Sequence, residues 1–463
     1  MVDESLAYAL ERKGDWQNLL GLISVWPEVP QKIWYLGSYY LLAKGDYISA
    51  LQLFSRLVVL PDCPLEAYLR YGKALHGCNR VIEALDSYLK ILARRHEVAP
   101  GWFDDALIAY GLACLELGLY QHWLQVMARF HLRAEGVGKC RYLAAQAYFC
   151  LGDWSRGWQL YQSRNEWFSP VRLVGALPAW REEMPLTSRK ILLSSEMGIG
   201  DFIFFLRFVP RLRDRYDAIC VAVPECLMQL ASASGFFDFV YDIADDISDL
   251  FDWHLPIASL PYFLRPFEIK PGEECVFKPY LSLKSSPPSG FDMLSHAGRM
   301  RPLVALNWRG NQSSESPSLT VRGRSVPLVF LERVASFCEV DLVWVQVGAD
   351  DEKLFSPLMK YLHPFQECLD KSQWDICDIG WVLAKCDLLI TNDTSLAHLG
   401  GALGLPTWVM LKQFPSWQWG VSGDCQWYSS VRCFRQEQDF DWVSVIRKVD
   451  KALFRYVLNW KKG

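Results

Sequence analysis

Apolar residues over the first 165 positions recur at helical spacing, and the pattern copies itself along the chain. Trp34 aligns with Tyr68, Ala50 with Ala84 and Phe54 with Tyr88, each at an offset of 34 residues. Gly118–Tyr120 aligns with Gly152–Trp154 at the same offset, and RKGDWQNLL around Gly14 is a partial further copy. This periodicity predicts stacked pairs of antiparallel helices, roughly four to five of them over residues 1–165. A small residue (Ala50, Ala84, Gly157) admits the neighbouring helix, and a large aromatic (Phe54, Tyr88, Tyr161) fills the next groove. Trp123 stands at the small position of the third unit, which predicts looser packing there.

From Arg189 the period changes. KILLSS reads as a short buried strand, and the residues after it place Phe202, Phe205, Leu206, Val209 and Leu212 on one helical face. ICVAVP, FVYDI and WHLPIA predict further strands, and ECLMQLASASG a helix. A Ser-Pro-Gly linker, KSSPPSG (residues 284–290), precedes a second alternating series. There PLVALNW, DLVWVQV, DLLITN and PTWVML predict strands. VPLVFLERVASF, WDICDIGWVLAKC and TSLAHLGGALG predict helices, and WVSVIRKVDKALFRYVLNW a closing amphipathic helix packed back on the body. The expected class is therefore α + α/β. A helical repeat array (1–165) precedes two doubly wound halves (186–290 and 300–463), with ligands bound beyond the carboxyl edges of their strands.

Composition narrows the partners. The net charge of −4 supplies no global basic field for nucleic acid or an anionic membrane, so any phosphate site is local. The 14 cysteines are scattered singly, without a CxxC pair or metal-ligand spacing, and read as buried thiols in a reducing cytoplasm. The N-terminal residues do not read as a secretory leader, and no apolar run reaches the ~20 residues of a membrane span.

Two motifs carry candidate chemistry. In LLITNDTSLAHLGGALGLP a strand ends at Asn392 and a helix opens at Asp393-Thr394-Ser395. A helix start offers free N–H groups and the positive end of a dipole, which suits a diphosphate. Thr394 and Ser395 add hydroxyls, Leu396 lies in the first turn, and His398 either reaches the same anion or is a core histidine. Asp393 is either a helix cap or a contact to a sugar hydroxyl. Gly400 and Gly401 would let this helix lie close to the sheet. In SSEMGIGDFIFFLRF, Gly198 and Gly200 would let the backbone turn and admit a ligand, and Asp201 is either a cap or a carboxylate on the rim of the cleft. Arg309, Arg322, Arg324 and Lys412 are candidates to meet a developing phosphate charge. Gln346 and Gly348 are candidate nucleotide contacts, and Asp375 a ribose or base contact. Trp417 and Trp419 either stack on a sugar or pack beneath the last helix. Asp242–Asp252 reads as a solvated loop, and Asp439 and Asp441 as caps of the last helix.

The 34-residue pattern resembles the tetratricopeptide repeat. NDTSLAHLGGALGLPTWVML resembles the donor-site strand and helix of the heptosyltransferase-like glycosyltransferases, and EMGIGDFIFFLRFVPRL is similar to their first loop and helix. GRSVPLVFLERVA (323–335) and WYSSVRCFRQ (427–436) resemble bacterial proteins that join such repeats to such a domain, flagellin glycosyltransferases among them. The resemblance spans nearly the whole chain. It implies a GT-B body of two Rossmann-like halves, with the donor in the second and the acceptor approaching from the first. It implies Asp201 as general base, with Glu196 as the alternative from the same loop. The implied reaction is inverting transfer of a sugar from a nucleotide donor to a protein hydroxyl, with the repeat array recruiting the protein. No metal or other cofactor is expected. One rival acceptor is a lipid-linked or free glycan, and one rival class is an inactive scaffold or chaperone. The sugar, the nucleotide and the acceptor stay open at this level.

Overall fold

The computed structural model describes residues 3–130, 137–166, 177–182, 184, 188–264, 277–283, 299–310, 323–327, 339–345, 375–438 and 441–461. The chain divides into two compact units, one ending at Ala147 and the other beginning at Tyr148. The first is helical: α1 (Glu4–Lys13), α2 (Trp16–Ser24), α3 (Pro30–Ser38), α4 (Tyr47–Leu57), α5 (Glu66–Gly77), α6 (Val81–Leu92), α7 (Pro100–Glu116), α8 (Tyr120–Phe130) and most of α9 (Val137–Cys150). A π-helical turn, Tyr39–Lys44, extends α3.

Three of the tight turns share one device. A residue in the left-handed region ends one helix, and an aspartate just after it caps the next. Gly14–Asp15 and Gly45–Asp46 do this in the first unit, and Gly152–Asp153 before α10 (Trp154–Tyr161). Asn79 takes the same conformation (φ +64°) at the 34-residue offset from Gly45. Ala50, Phe54, Ala84 and Tyr88 are fully buried. Each aromatic seats on a glycine of the preceding helix: Phe54 on Gly37, Tyr88 on Gly72. The looseness expected around Trp123 is not found. Trp123 is fully buried, and its ring lies on Gly111, where a Cβ would stand 2.8 Å from the indole. A missing side chain on α7 makes room for the large one on α8.

The second unit holds α10 and two parallel sheets. The first sheet comprises β1 (Lys190–Ser194), β2 (Ala218–Val223), β3 (Phe239–Asp242) and β4 (Leu255–Pro256) in the order β3-β2-β1-β4. Helices α11 (Ile199–Leu206) and α12 (Glu225–Ser234) follow β1 and β2, and the short α13 (Leu260–Phe263) lies just after β4. The second sheet comprises β5 (Leu303–Leu306), β6 (Asp341–Trp344), β7 (Leu388–Asn392), β8 (Thr407–Leu411) and β9 (Val431–Arg435) in the order β6-β5-β7-β8-β9. Its helices are α14 (Ile376–Leu383), α15 (Ser395–Leu403) and α16 (Trp442–Trp460).

Strand β7 shows why its sequence is apolar throughout. Leu388 and Ile390 face the core under α16, with Val445, Val449 and Leu453, while Leu389 faces α15. Both sheet faces are covered, so alternation between polar and apolar positions disappears. Gly400 is the closest point of α15. A Cβ there would meet Thr407 Oγ1 at 2.5 Å and Leu389 Cδ2 at 2.8 Å. Helix α11 differs from the one-faced expectation, because Ile203 and Phe204 are as buried as Phe202 and Phe205. It lies between the first sheet and α15, so it presents no face to water. Helix VPLVFLERVASF falls largely outside the described residues. Among the described residues, no helix is long and apolar enough to cross a membrane.

Candidate functional site

Each sheet reverses its strand order at one point, the place where sheets of this kind form a crevice beyond the carboxyl edge. In the first sheet this point lies between β1 and β4. Side chains of the protein itself fill it. Arg164, fully buried, donates from Nε and Nη2 to the two carboxylate oxygens of Glu196 (2.9 and 2.6 Å). It also donates to Ser259 Oγ and to the Tyr161 carbonyl. Glu196 accepts in addition from the Ala258 N–H at 3.0 Å. Both oxygens of Glu196 are therefore committed to tying β1 to β4.

In the second sheet the reversal lies between β5 and β7. Leu306 pairs with Ile390, which brings Asn307 to the end of β7. Asn307 is 1% exposed, and its amide nitrogen donates to Thr391 Oγ1, Asn392 Oδ1 and Thr394 Oγ1 (3.0, 3.1 and 3.2 Å). Its Oδ1 is buried and has no hydrogen-bond partner among the described residues. Arg324 donates to the Asp393 carbonyl at 3.0 Å, and its guanidinium lies over Gly310, beside Thr394.

The start of α15 has no side-chain cap. Asp3, Asp15, Asp46, Asp153, Asp375 and Asp441 each cap a helix elsewhere in the chain, whereas α3, α5, α6, α7 and α12, like α15, begin without a side-chain cap. The two residues that would cap α15 are turned elsewhere. The Thr394 hydroxyl is taken by Asn307 and Thr391. Asp393 is 7% exposed and accepts from the Trp419 indole N–H (2.7 Å) and the Ser416 hydroxyl (2.8 Å). The Ala397 N–H donates to the Thr394 carbonyl at 3.1 Å, and among the described residues the N–H groups of Ser395 and Leu396 are left for another acceptor.

The first turn of α11 meets this helix start. Gly200 lies so close that a Cβ would stand 3.1 Å from His398 Cδ2 and 3.2 Å from Ser395 Cα. Asp201, one residue on, reaches back to accept from the Gly198 N–H at 3.2 Å. Its other oxygen faces the Gln418 amide at 3.4 Å. Burial pushes Asp201 up from an ordinary aspartate value to about 6, and the nearby Asp393 and Glu196 carboxylates push the same way. The Gly198 N–H and Arg324 oppose this without cancelling it. Asp201 thus makes the capping contact to the Gly198 N–H. The left-handed residue of this loop is not a glycine. Met197 has φ +63°, whereas Gly198 is extended at φ −99°.

Several expectations need correction. His398 is a core histidine, the second of its two readings. It is buried, stacked on Trp419 and bonded through Nδ1 to the Tyr428 hydroxyl, and burial lowers its pKa to about 3. Trp417 and Trp419 are buried rather than open to a sugar. Trp417 packs among Phe149, Trp158 and Phe204. Asp375 caps α14, accepting from the N–H groups of Cys377 and Asp378. Lys412 is buried just beyond β8, and Arg309 is half-buried in the loop after β5. Leu396 is buried, so only its backbone belongs to the helix start. Gln346, Gly348 and Arg322 lie outside the described residues. The structure brings together Gly200, Asp201, Asp393, Thr394, Ser395 and Arg324. Asn307, Ser416 and Gln418 escaped sequence reading. Asn307 had a signal, as a polar residue directly after the buried strand LVAL. Gln418, between two tryptophans, had only its polarity. No group of three or more metal-ligating side chains occurs among the described residues.

No family model matches the chain. Protein FlbA from Caulobacter vibrioides is 25% identical over 344 residues, which cover 69% of this chain. The match covers 55% of the relative, so the chain spans about half the length of that curated protein. Among solved structures, a family 9 glycosyl transferase from Veillonella parvula is similar at 13% identity and a TM-score of 0.41, over 60% of this chain and 99% of its own. The ADP-heptose lipopolysaccharide heptosyltransferase II of E. coli gives 15% and 0.40, over 58% and 99%. An O-GlcNAc transferase mutant from Thermobaculum terrenum gives 13% and 0.28, over 99% and 92%.

Proposed function

We propose that the chain is an inverting glycosyltransferase that moves a sugar from a nucleotide donor to a hydroxyl of a protein. The observation that carries this reading is the uncapped start of α15 with Asp201 of the other half beside it. The donor phosphates accept from the first-turn N–H groups of α15, with Arg324 alongside. Asp201 takes the proton from the acceptor hydroxyl as its oxygen attacks the anomeric carbon from the face opposite the leaving group. The anomeric carbon–oxygen bond breaks, and its electron pair goes to the phosphate. The helix N–H groups and the guanidinium stabilise that charge, so the step calls for no metal.

The N-terminal helices are read as a tetratricopeptide-like array that holds the protein acceptor. Support comes from the 34-residue offsets and from the aromatic-on-glycine packing repeated in successive pairs. A thermal-shift panel with ADP-heptose, GDP-mannose, UDP-N-acetylglucosamine and CMP-N-acetylneuraminate tests the donor site, because a bound ligand raises stability by mass action. Release of nucleotide from the stabilising donor, with EDTA present, tests the reaction. Stabilisation by none of the four, and no nucleotide release, would leave the scaffold reading in its place. Transfer to glycans but to no protein would move the acceptor to the carbohydrate class.

A further inference from the structure

The turn Ser416–Trp419 supplies hydrogen-bond donors to two carboxylates at once. Ser416 and Trp419 hold Asp393 of their own half, and Gln418 reaches Asp201 of the other half. Gln418 is 7% exposed. Its amide orientation is fixed by chemistry, since the nitrogen must face a carboxylate oxygen. That leaves Oε1 buried with no partner among the described residues. A buried acceptor without a donor is a costly arrangement unless a ligand completes it. The two tryptophans hold the glutamine in place. Trp417 packs against Phe204 of α11, and Trp419 stacks on His398 of α15.

We infer that Gln418 is a positioning residue that aims the Asp201 carboxylate and offers its Oε1 to a hydroxyl of the bound donor sugar. This rests on the reading of Asp201 as the base. The amide donates to one oxygen of Asp201 while the Gly198 N–H holds the other, so the carboxylate has one orientation toward an incoming hydroxyl. The sugar hydroxyl completes the amide, which couples donor binding to the setting of the base.

Nucleotide release to water from the four donors above provides an assay that needs no known acceptor. Gln418→Leu should lower kcat/KM about tenfold, with donor KM raised, because a buried hydrogen-bonded group loses both partners. Gln418→Glu sets a second carboxylate against Asp201. It should move the acid limb of the pH–rate profile upward by about one unit, an effect a purely structural residue would not produce. The other charged groups facing Asp201 are Glu196, Asp393 and Arg324, and they are unchanged in both variants. Melting temperature identifies a variant that has simply lost its fold. Folded Gln418→Leu protein with wild-type kcat/KM, or Gln418→Glu with a wild-type acid limb, overturns the inference. A wild-type protein that neither binds nor turns over any of the four donors overturns the glycosyltransferase reading itself, and this inference with it.

Discussion

Replacing Asp201 by asparagine should make the protein more stable at pH 8 while abolishing catalysis. Burial lifts the carboxyl from its ordinary 3.8 to about 6. Between those values the folded state holds a proton that the unfolded chain has released, so wild-type stability falls as pH rises through the window. Above pH 6 the ionised group costs the fold on the order of 3 kcal/mol. Asparagine removes that penalty. Its single oxygen can accept from the Gly198 N–H or from Gln418, not both, and one lost hydrogen bond costs about 1 kcal/mol. The balance is about 2 kcal/mol in favour of Asp201→Asn at pH 8 and about 1 kcal/mol against it at pH 4. At roughly 2 °C per kcal/mol for a body of this size, Tm rises about 4 °C at the higher pH and falls about 2 °C at the lower. Thermal melts of both proteins across pH 4–8 check this, alongside nucleotide release, which should fall at least about 100-fold. A difference in Tm that does not change with pH would refute the burial argument. Undiminished release would refute Asp201 as base.

Arg164→Ala leaves Glu196 without its counter-charge in a buried crevice and should cost about 3–5 kcal/mol, seen as a lowered melting temperature. At Gly200, alanine gains up to about 1 kcal/mol of helix propensity but loses about 1–3 kcal/mol by overlap with Ser395 and His398, where backbone must shift. The Gly200→Ala protein should therefore melt earlier and be less stabilised by donor in a thermal-shift assay. His398 is held neutral to about pH 3, whereas an unfolded histidine takes a proton near 6.5, so it weakens the fold as pH drops through that interval. His398→Phe should flatten the acid side of the Tm–pH curve and leave turnover above pH 6 without a new limb.

The elements of the second unit were legible because each sheet is covered on both faces. That makes its strands continuous apolar runs between turn residues, as in LLITN and TWVML. The helical repeats were legible through their offset, although the compensation of Trp123 by Gly111 depends on which helices touch and leaves no mark in a single repeat. Asp201 and the start of α15 could be found because loop and strand end announce themselves locally. Roles set by tertiary partners could not. Glu196 reads like any loop acid until Arg164, 32 residues earlier, is seen to take both its oxygens. His398 reads as a phosphate ligand or a core histidine until Trp419 and Tyr428 are seen to close over it.

The two sheets differ in what stands at the point where strand order reverses. Sheets of this kind form a crevice there. The first is filled by Arg164, whose charge is balanced by Glu196 and which also donates to Ser259 and Tyr161. A filled and neutralised crevice has no electrostatic attraction for an anionic ligand. The second keeps a helix start without a side-chain cap, a guanidinium and an Asn307 oxygen with no partner among the described residues. Asp393 would cancel the positive end of that helix if it capped it, but Trp419 and Ser416 turn it away. The same turn then holds Asp201 through Gln418. A single short segment thus keeps one carboxylate away from the start of α15 and, on the proposed reading, sets the other as the base.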